Sequence, residues 1–99
     1  MLQVFSKDIT ELVLDTVSPE KNIEMFNSHI KYADCKNIVV DITKLNVIDA
    51  CMVSTLCSTN HYMKYPDGKI NWVINNKDVA NYTTPLTLGN VEFTCKNKQ

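Results

Sequence analysis

Two runs of largely apolar, β-branched residues constrain the fold of this chain most. Residues 37–42 read NIVVDI, and residues 70–74 read INWVI. Apolar residues at successive positions are typical of a central strand that is covered on both faces of its sheet. A helical pattern separates the two runs, and a helix between two strands predicts a right-handed crossover that joins parallel neighbours. The sequence therefore predicts an α/β protein.

The N-terminal third is predicted to add a hairpin and a first helix. Two short β-favouring segments, residues 2–5 and 11–15, are divided by a polar stretch that can turn, so they are expected to form adjacent strands. Ser18 then supplies an N-cap and Pro19 the first helical position. Apolar residues recur at helical spacing from there to about Ala33, which predicts helix one with one face on the sheet.

The second helix is predicted to follow a short apolar return at residues 47–48 and to begin with Asp49 as its cap. The turn Pro66-Asp67-Gly68 should end it. The small polar residues Ser54, Thr55, Ser58 and Thr59 are expected on its exposed or half-exposed side. Its inner side is predicted to consist of Val53, Leu56, Cys57, Asn60 and Met63.

A third, short helix is predicted after Asn76, which can cap it, with Val79, Tyr82 and Thr83 facing inward. Pro85 should stop this helix near Thr84, and residues 91–95 should return as a last strand. The expected whole is a single domain over residues 1–99. It has a small mixed sheet of about five strands, the N-terminal hairpin followed by parallel crossovers, and three helices.

Composition excludes several classes of function. The net charge is −1, with ten lysines, no arginine and eleven acidic residues, so the chain has no broad positive field and nucleic acid is not an expected partner. No apolar run approaches the roughly 18–20 residues that a membrane span needs, and the first ten residues lack the pattern of a signal peptide. A cytoplasmic protein is expected.

The cysteines and histidines do not form a recognisable site. Cys35, Cys51, Cys57 and Cys95 include no C-x-x-C pair, so neither a zinc site nor a redox dithiol is indicated. His29 and His61 fall in separate helices and are expected at the surface. With only two glycines, the chain also lacks a glycine-rich phosphate loop, and we expect neither a metal nor a cofactor.

Asp49 and Cys51 are the residues whose position suggests chemistry. They lie where a strand hands over to helix two, at the carboxyl edge of the predicted sheet, where open α/β folds usually place their sites. Asp49 is interpreted as the helix cap. Cys51 would lie in the first turn, near the positive end of the helix, where a thiol pKa falls, although a small buried side chain is the more common role of cysteine.

Residues 37–53, NIVVDITKLNVIDACMV, resemble the STAS domain of anti-sigma factor antagonists. In that family a hydrophobic strand and a short loop lead to an Ile-Asp-Ser/Ala-Ser-Gly-Leu sequence. The resemblance continues through the Pro66-Asp67-Gly68 turn, the strand at residues 70–74 and the Leu88-Gly89 step, and so covers essentially the whole chain. It implies a small α/β domain that binds a partner protein, typically a serine-kinase anti-sigma factor, in the regulation of transcription.

The family's phosphoswitch is altered in this sequence. The partner kinase phosphorylates a serine at the start of helix two, and the added charge separates the two proteins. Here the acceptor position is Cys51, and the glycine that follows it in the family is Met52. The resemblance therefore implies a non-catalytic protein that binds its partner through the start of helix two without that switch. The candidate site comprises Asp49, Ala50, Cys51, Met52, Ser54 and Thr55.

Two alternatives follow from other features of the sequence. The position of Cys51 at a helix start is also compatible with a thiol-based redox sensor or a minor enzyme. STAS-like domains also serve as ligand-binding or assembly modules, which an apolar patch around Met52 would favour.

Overall fold

The computed structural model describes residues 9–32 and 34–96. This part of the chain forms an α/β domain in which strands and helices alternate, as predicted. The elements in chain order are β1 (Ile9–Val13), α1 (Pro19–Tyr32), β2 (Asn37–Asp41), α2 (Val47–Lys64), β3 (Lys69–Ile74), α3 (Lys77–Thr83), a 3₁₀ turn (Thr84–Leu86) and β4 (Val91–Cys95).

The described strands form one four-stranded sheet in the order β1-β2-β3-β4, and every neighbouring pair is parallel. The mixed sheet of about five strands that opens with a hairpin is therefore not what the structure shows. The second segment of the predicted hairpin, residues 11–15, corresponds to β1, which starts at Ile9 and pairs with β2 across a helical crossover. The first segment, residues 2–5, lies outside the described residues.

Local signals place the first and third helices where the sequence predicts them. The Oγ of Ser18 accepts a hydrogen bond from the backbone N–H of Lys21 at 3.2 Å, and α1 begins at Pro19. The side chain of Asn76 accepts one from the backbone N–H of Asp78 at 2.9 Å at the start of α3. The chain leaves the α-helix in front of Pro85 and makes one 3₁₀ turn there.

All three crossovers place their helices on the same face of the sheet, as right-handed connections between sequential parallel strands require. On that face Val40 of β2 and Trp72 of β3 are fully buried. On the other face Val39, Asp41 and Val73 are only half-buried, so the described residues do not cover the sheet on both sides as the apolar runs suggest. In the part of the chain that the structure describes, the hydrophobic core lies between the sheet and the helices.

The turn between α2 and β3 requires a glycine for reasons of space. Gly68 is buried, and a Cβ at this position would overlap the backbone oxygen of Lys36 and lie 2.9 Å from Cε1 of His61. The same Lys36 oxygen accepts a 2.9 Å hydrogen bond from the backbone N–H of Lys69. Only a residue without a side chain allows β3 to approach the loop before β2 this closely.

Candidate functional site

Helix α2 begins three residues earlier than predicted, with a different cap. Asn46 is the N-cap, and its Oδ1 accepts a 2.8 Å hydrogen bond from the backbone N–H of Asp49. The Asn46 amide in turn lies 3.4 Å from Oδ2 of Asp49. The assignment of Asp49 as the cap is therefore wrong, and residues 47–48 belong to the helix and not to a strand. Asp49 lies in the first turn, where its negative charge interacts favourably with the positive end of the helix dipole.

Cys51 consequently lies in the second turn of α2, and its predicted place in the first turn is wrong. Its side chain is half-buried and packs against the hydrophobic core. The field of a helix end falls off within the first turn. The position of Cys51 in α2 therefore does not give its thiol the activation by the helix N-terminus that the sequence suggests.

The inner face of α2 is more polar than the sequence predicts. Val53 and Cys57 are buried, as expected, but so are Ser54 and Ser58, which were predicted on the exposed side. Both hydroxyls have partners. Ser54 Oγ donates to the backbone oxygen of Cys51 at 3.3 Å, and Ser58 Oγ accepts a 2.8 Å hydrogen bond from the indole N–H of Trp72. These bonds remove much of the cost of burying the two serines.

His61 also faces inward and is fully buried, so its predicted surface position is wrong. Its Nε2 lies 2.7 Å from the backbone oxygen of Cys35, and because a carbonyl oxygen can only accept, Nε2 carries the proton of this hydrogen bond. Burial lowers the pKa of His61, although the hydrogen bonds to the backbone of Cys35 and Lys36 oppose that change. Nδ1 is buried without a hydrogen-bond partner. The neutral imidazole of His61 therefore links α2 to the loop before β2 through this hydrogen bond.

The outer face of α2 is apolar. Ile48, Met52, Leu56 and Met63 point away from the sheet, with exposed fractions of 73, 42, 48 and 73%. We call these four residues the outer stripe. The predicted inward positions of Leu56 and Met63 are wrong, because the helix is rotated so that small and polar residues meet the sheet. Asn60 is half-buried at the side of the helix, where its amide donates to Oδ1 of Asn27 on α1 at 3.0 Å.

Charged groups are nearly absent from this helix. Among its 18 residues only Asp49 and Lys64 carry full charges, one in the first turn and one at the last position. Residues 48 to 63 span about 22 Å along the helix axis. The outer stripe is thus a long apolar surface with a single charge at each end.

The predicted site residues separate into accessible and inaccessible positions. Ala50 and Ser54 are buried on the inner face of α2 and cannot contact another protein in this conformation. Met52 is exposed, while Asp49, Cys51 and Thr55 are half-buried. The structure adds Ile48, Leu56 and Met63, which the sequence reasoning placed in a strand or in the core. The signal that could have identified them is the absence of charge along the helix, since a helix with an ordinary solvent face carries Lys and Glu there.

The buried cysteines and the potential metal ligands of the described residues do not form a second site. Burial raises the pKa of Cys35, and it raises the pKa of Cys57 to about 12, so both thiols remain protonated. Among the described residues no cluster of histidine, cysteine or acidic side chains could hold a metal ion. No helix in the described ranges is long and apolar enough to cross a membrane.

Comparison with known proteins adds no relative. No family model matches the chain, and neither the curated proteins nor the solved structures give a match. The resemblance to STAS domains therefore depends on the residues around Asp49 and on the order of the elements.

Proposed function

We propose that this chain is a non-catalytic, STAS-like regulatory protein that binds a partner protein through the start of α2. By the resemblance, the partner is an anti-sigma factor or a related protein, and the pathway regulates transcription in the cytoplasm. The outer stripe of α2 is the observation that carries this proposal.

The physical support is the cost of leaving the stripe in water. Fully burying a large aliphatic or methionine side chain is worth about 1.5–3 kcal/mol, and Ile48 and Met63 have 73% of their surface exposed. Charged residues are depleted at the centre of protein interfaces, and α2 has no acidic residue, lysine or arginine between Asp49 and Lys64. The neighbouring Asn46–Asp49 cap holds the first turn rigid, which reduces the entropy lost on binding.

The same geometry supports binding without a serine phosphoswitch. Cys51 stands at the position of the usual acceptor and has no hydroxyl group. Ser54, the nearest serine, is fully buried with its hydroxyl directed at the backbone of Cys51. Thr55 is half-buried, and its backbone oxygen accepts from the Thr59 hydroxyl at 3.1 Å. A kinase would have to unfold part of α2 to reach Ser54.

The surface is tested by charge substitution within the stripe. Met52→Glu places a carboxylate in the centre of the proposed contact, and Leu88→Glu does the same at an exposed leucine outside α2 that is 53% accessible. Proteins from the native cell that bind the wild type are then purified, and each is titrated by calorimetry with the wild type, Met52→Glu and Leu88→Glu. We expect Met52→Glu to weaken binding at least tenfold. A purified partner that binds all three proteins equally would place the contact elsewhere.

The absence of a phosphoswitch is tested with that partner and ATP. If the partner is a kinase, intact-mass and peptide mass spectrometry of the chain after incubation should find no phosphate on α2. A stoichiometric phosphate on Ser54 or Thr55 would contradict this part of the proposal.

A further inference from the structure

The outer stripe is complementary to a second copy of itself that runs in the opposite direction. Binding to a different protein does not require this property. Ile48 and Met63 lie near its two ends, and Leu56 lies close to its midpoint. Asp49, Leu56 and Met63 are spaced seven residues apart and therefore lie along one line of the helix surface. The two charges, Asp49 and Lys64, are opposite in sign and lie seven residues before and eight residues after Leu56.

An antiparallel copy of the helix satisfies this arrangement. When a second α2 is placed against the first with its direction reversed, Leu56 meets Leu56 and each Ile48 lies near the opposite Met63. Asp49 of each copy then faces Lys64 of the other, so two ion pairs form at symmetric positions. A two-fold axis requires this kind of self-complementarity, in which one patch contacts the same patch of its mate. A parallel arrangement would instead bring like charges together.

We propose that two copies of this chain associate through their α2 helices, antiparallel and about a two-fold axis near Leu56. The contact is small. The stripe measures about 22 Å by about 10 Å, from the helical rise and diameter, and this is well below the ~800 Å² that each partner contributes to a standard interface. An interface this small is expected to be weak and transient.

Self-association has a consequence for partner binding, and this clause alone rests on the proposed function. The dimer covers Ile48 and Met52, so the second copy and the partner protein exclude each other. A partner with higher affinity dissociates the dimer, while high concentrations of the free chain oppose partner binding.

The test is sedimentation equilibrium of the purified chain from 10 μM to 1 mM, with charge variants at the two ends of α2. Lys64→Glu places two acids opposite each other at both symmetric positions, and we expect it to raise the dissociation constant about tenfold. The double variant Asp49→Lys/Lys64→Glu restores opposite charges across the axis and should recover most of that loss. Lys69→Glu, which makes the same charge change at an exposed lysine on β3, should leave the constant unchanged.

A cross-link tests the position of the axis independently of charge. In a Cys95→Ser background, Leu56→Cys places a thiol at the proposed axis, and Lys21→Cys places one on the exposed side of α1. A short bismaleimide should join two Leu56→Cys chains efficiently and two Lys21→Cys chains poorly. Thermal melts of every variant confirm that it remains folded.

The outcomes separate this inference from the proposed function. A wild-type chain that is monomeric at 1 mM, or a Lys64→Glu variant that dimerises as well as wild type, would overturn the antiparallel dimer. Equal cross-linking at positions 21 and 56 would overturn the axis. In each case, a partner that still loses affinity for Met52→Glu would leave the proposed function standing.

Discussion

Substituting Gly68 by alanine should destabilise the fold strongly, because the space beside this residue is already filled. The added Cβ would lie 2.9 Å from Cε1 of His61 and 3.0 Å from Cβ of Tyr65, and it would overlap the backbone oxygen of Lys36. Ordinary contacts to a Cβ begin near 3.4 Å, so three neighbours must move: His61 in α2, Tyr65 at its C-cap and Lys36 in the loop before β2. Two of these atoms belong to buried or half-buried side chains, and the third is backbone.

The magnitude follows from two contributions. Overpacking a well-filled site costs about 1–3 kcal/mol. Displacing the Lys36 oxygen also weakens the 2.9 Å hydrogen bond from Lys69, which is worth about 1 kcal/mol. We therefore expect Gly68→Ala to lose about 3 kcal/mol of unfolding free energy. For a chain of this length that corresponds to a fall in Tm of about 12–24 °C.

The other glycine provides a matched control. Gly89 has a φ of +86°, and a Cβ there would meet nothing within 4 Å, so Gly89→Ala tests backbone strain without a clash. We expect it to cost about 1 kcal/mol. Urea unfolding followed by circular dichroism measures both variants against the wild type. If Gly68→Ala were within about 0.5 kcal/mol of the wild type, or no worse than Gly89→Ala, the close approach of β3 to Lys36 would be incorrect.

Three further outcomes follow from the polar inner face of α2 and from the cysteines. Ser58→Ala removes the acceptor of the buried Trp72 indole N–H, and urea unfolding should show a loss of about 1–3 kcal/mol; an unchanged midpoint would mean that the indole has another partner. Because burial lowers the pKa of His61, its stabilising contribution is complete above the unfolded value near 6.5. That contribution is lost as the pH falls through the folded pKa, since the unfolded chain takes up the proton first. Unfolding free energies measured between pH 7.5 and 5 should therefore decrease by up to about 1.4 kcal/mol per pH unit, with a smaller slope in His61→Gln, and equal slopes would contradict the neutral buried ring. Cys57, whose pKa is raised to about 12, should resist iodoacetamide at pH 8, while the exposed Cys95 should react. Peptide mass spectrometry measures the labelling of each cysteine. Early labelling of Cys57 would contradict its protected position and indicate that α2 opens readily.

The parts of the fold that could be predicted from the sequence are those with a local cause. Ser18 and Pro19 fix the start of α1 through a cap and a preset φ angle, and Pro85 fixes the end of α3 through a missing N–H. The β-branched runs identify β2 and β3 because such residues pack well on a pleated surface. These signals act within a few residues, so a single sequence is sufficient to interpret them.

Helix α2 could not be oriented in the same way, because its two faces differ little in hydrophobicity. Leu56 and Met63 are more apolar than Ser58 and His61, so periodicity assigns them to the core, yet they are exposed. What decides the orientation is tertiary: Trp72 supplies a donor for Ser58, and the backbone of Cys35 supplies an acceptor for His61. Those partners lie 14 and 26 residues away along the chain. The rotation of α2 also determines which residues form the candidate site.

Strands that are neighbours in the sheet are also consecutive along the chain, so the ribosome synthesises them one after the other. As the ribosome extends the chain, each new strand can pair with the free edge of the strand made just before it. The helix that connects the two strands has already been synthesised by then. The sheet can thus grow in one direction without waiting for a distant segment. The exposed turn at Pro66-Asp67 divides this layer between β2 and β3. A chain cut there would yield two pieces, each with two of the four described strands. Reassembly of the pieces along the β2–β3 edge could report on contact between proteins fused to them.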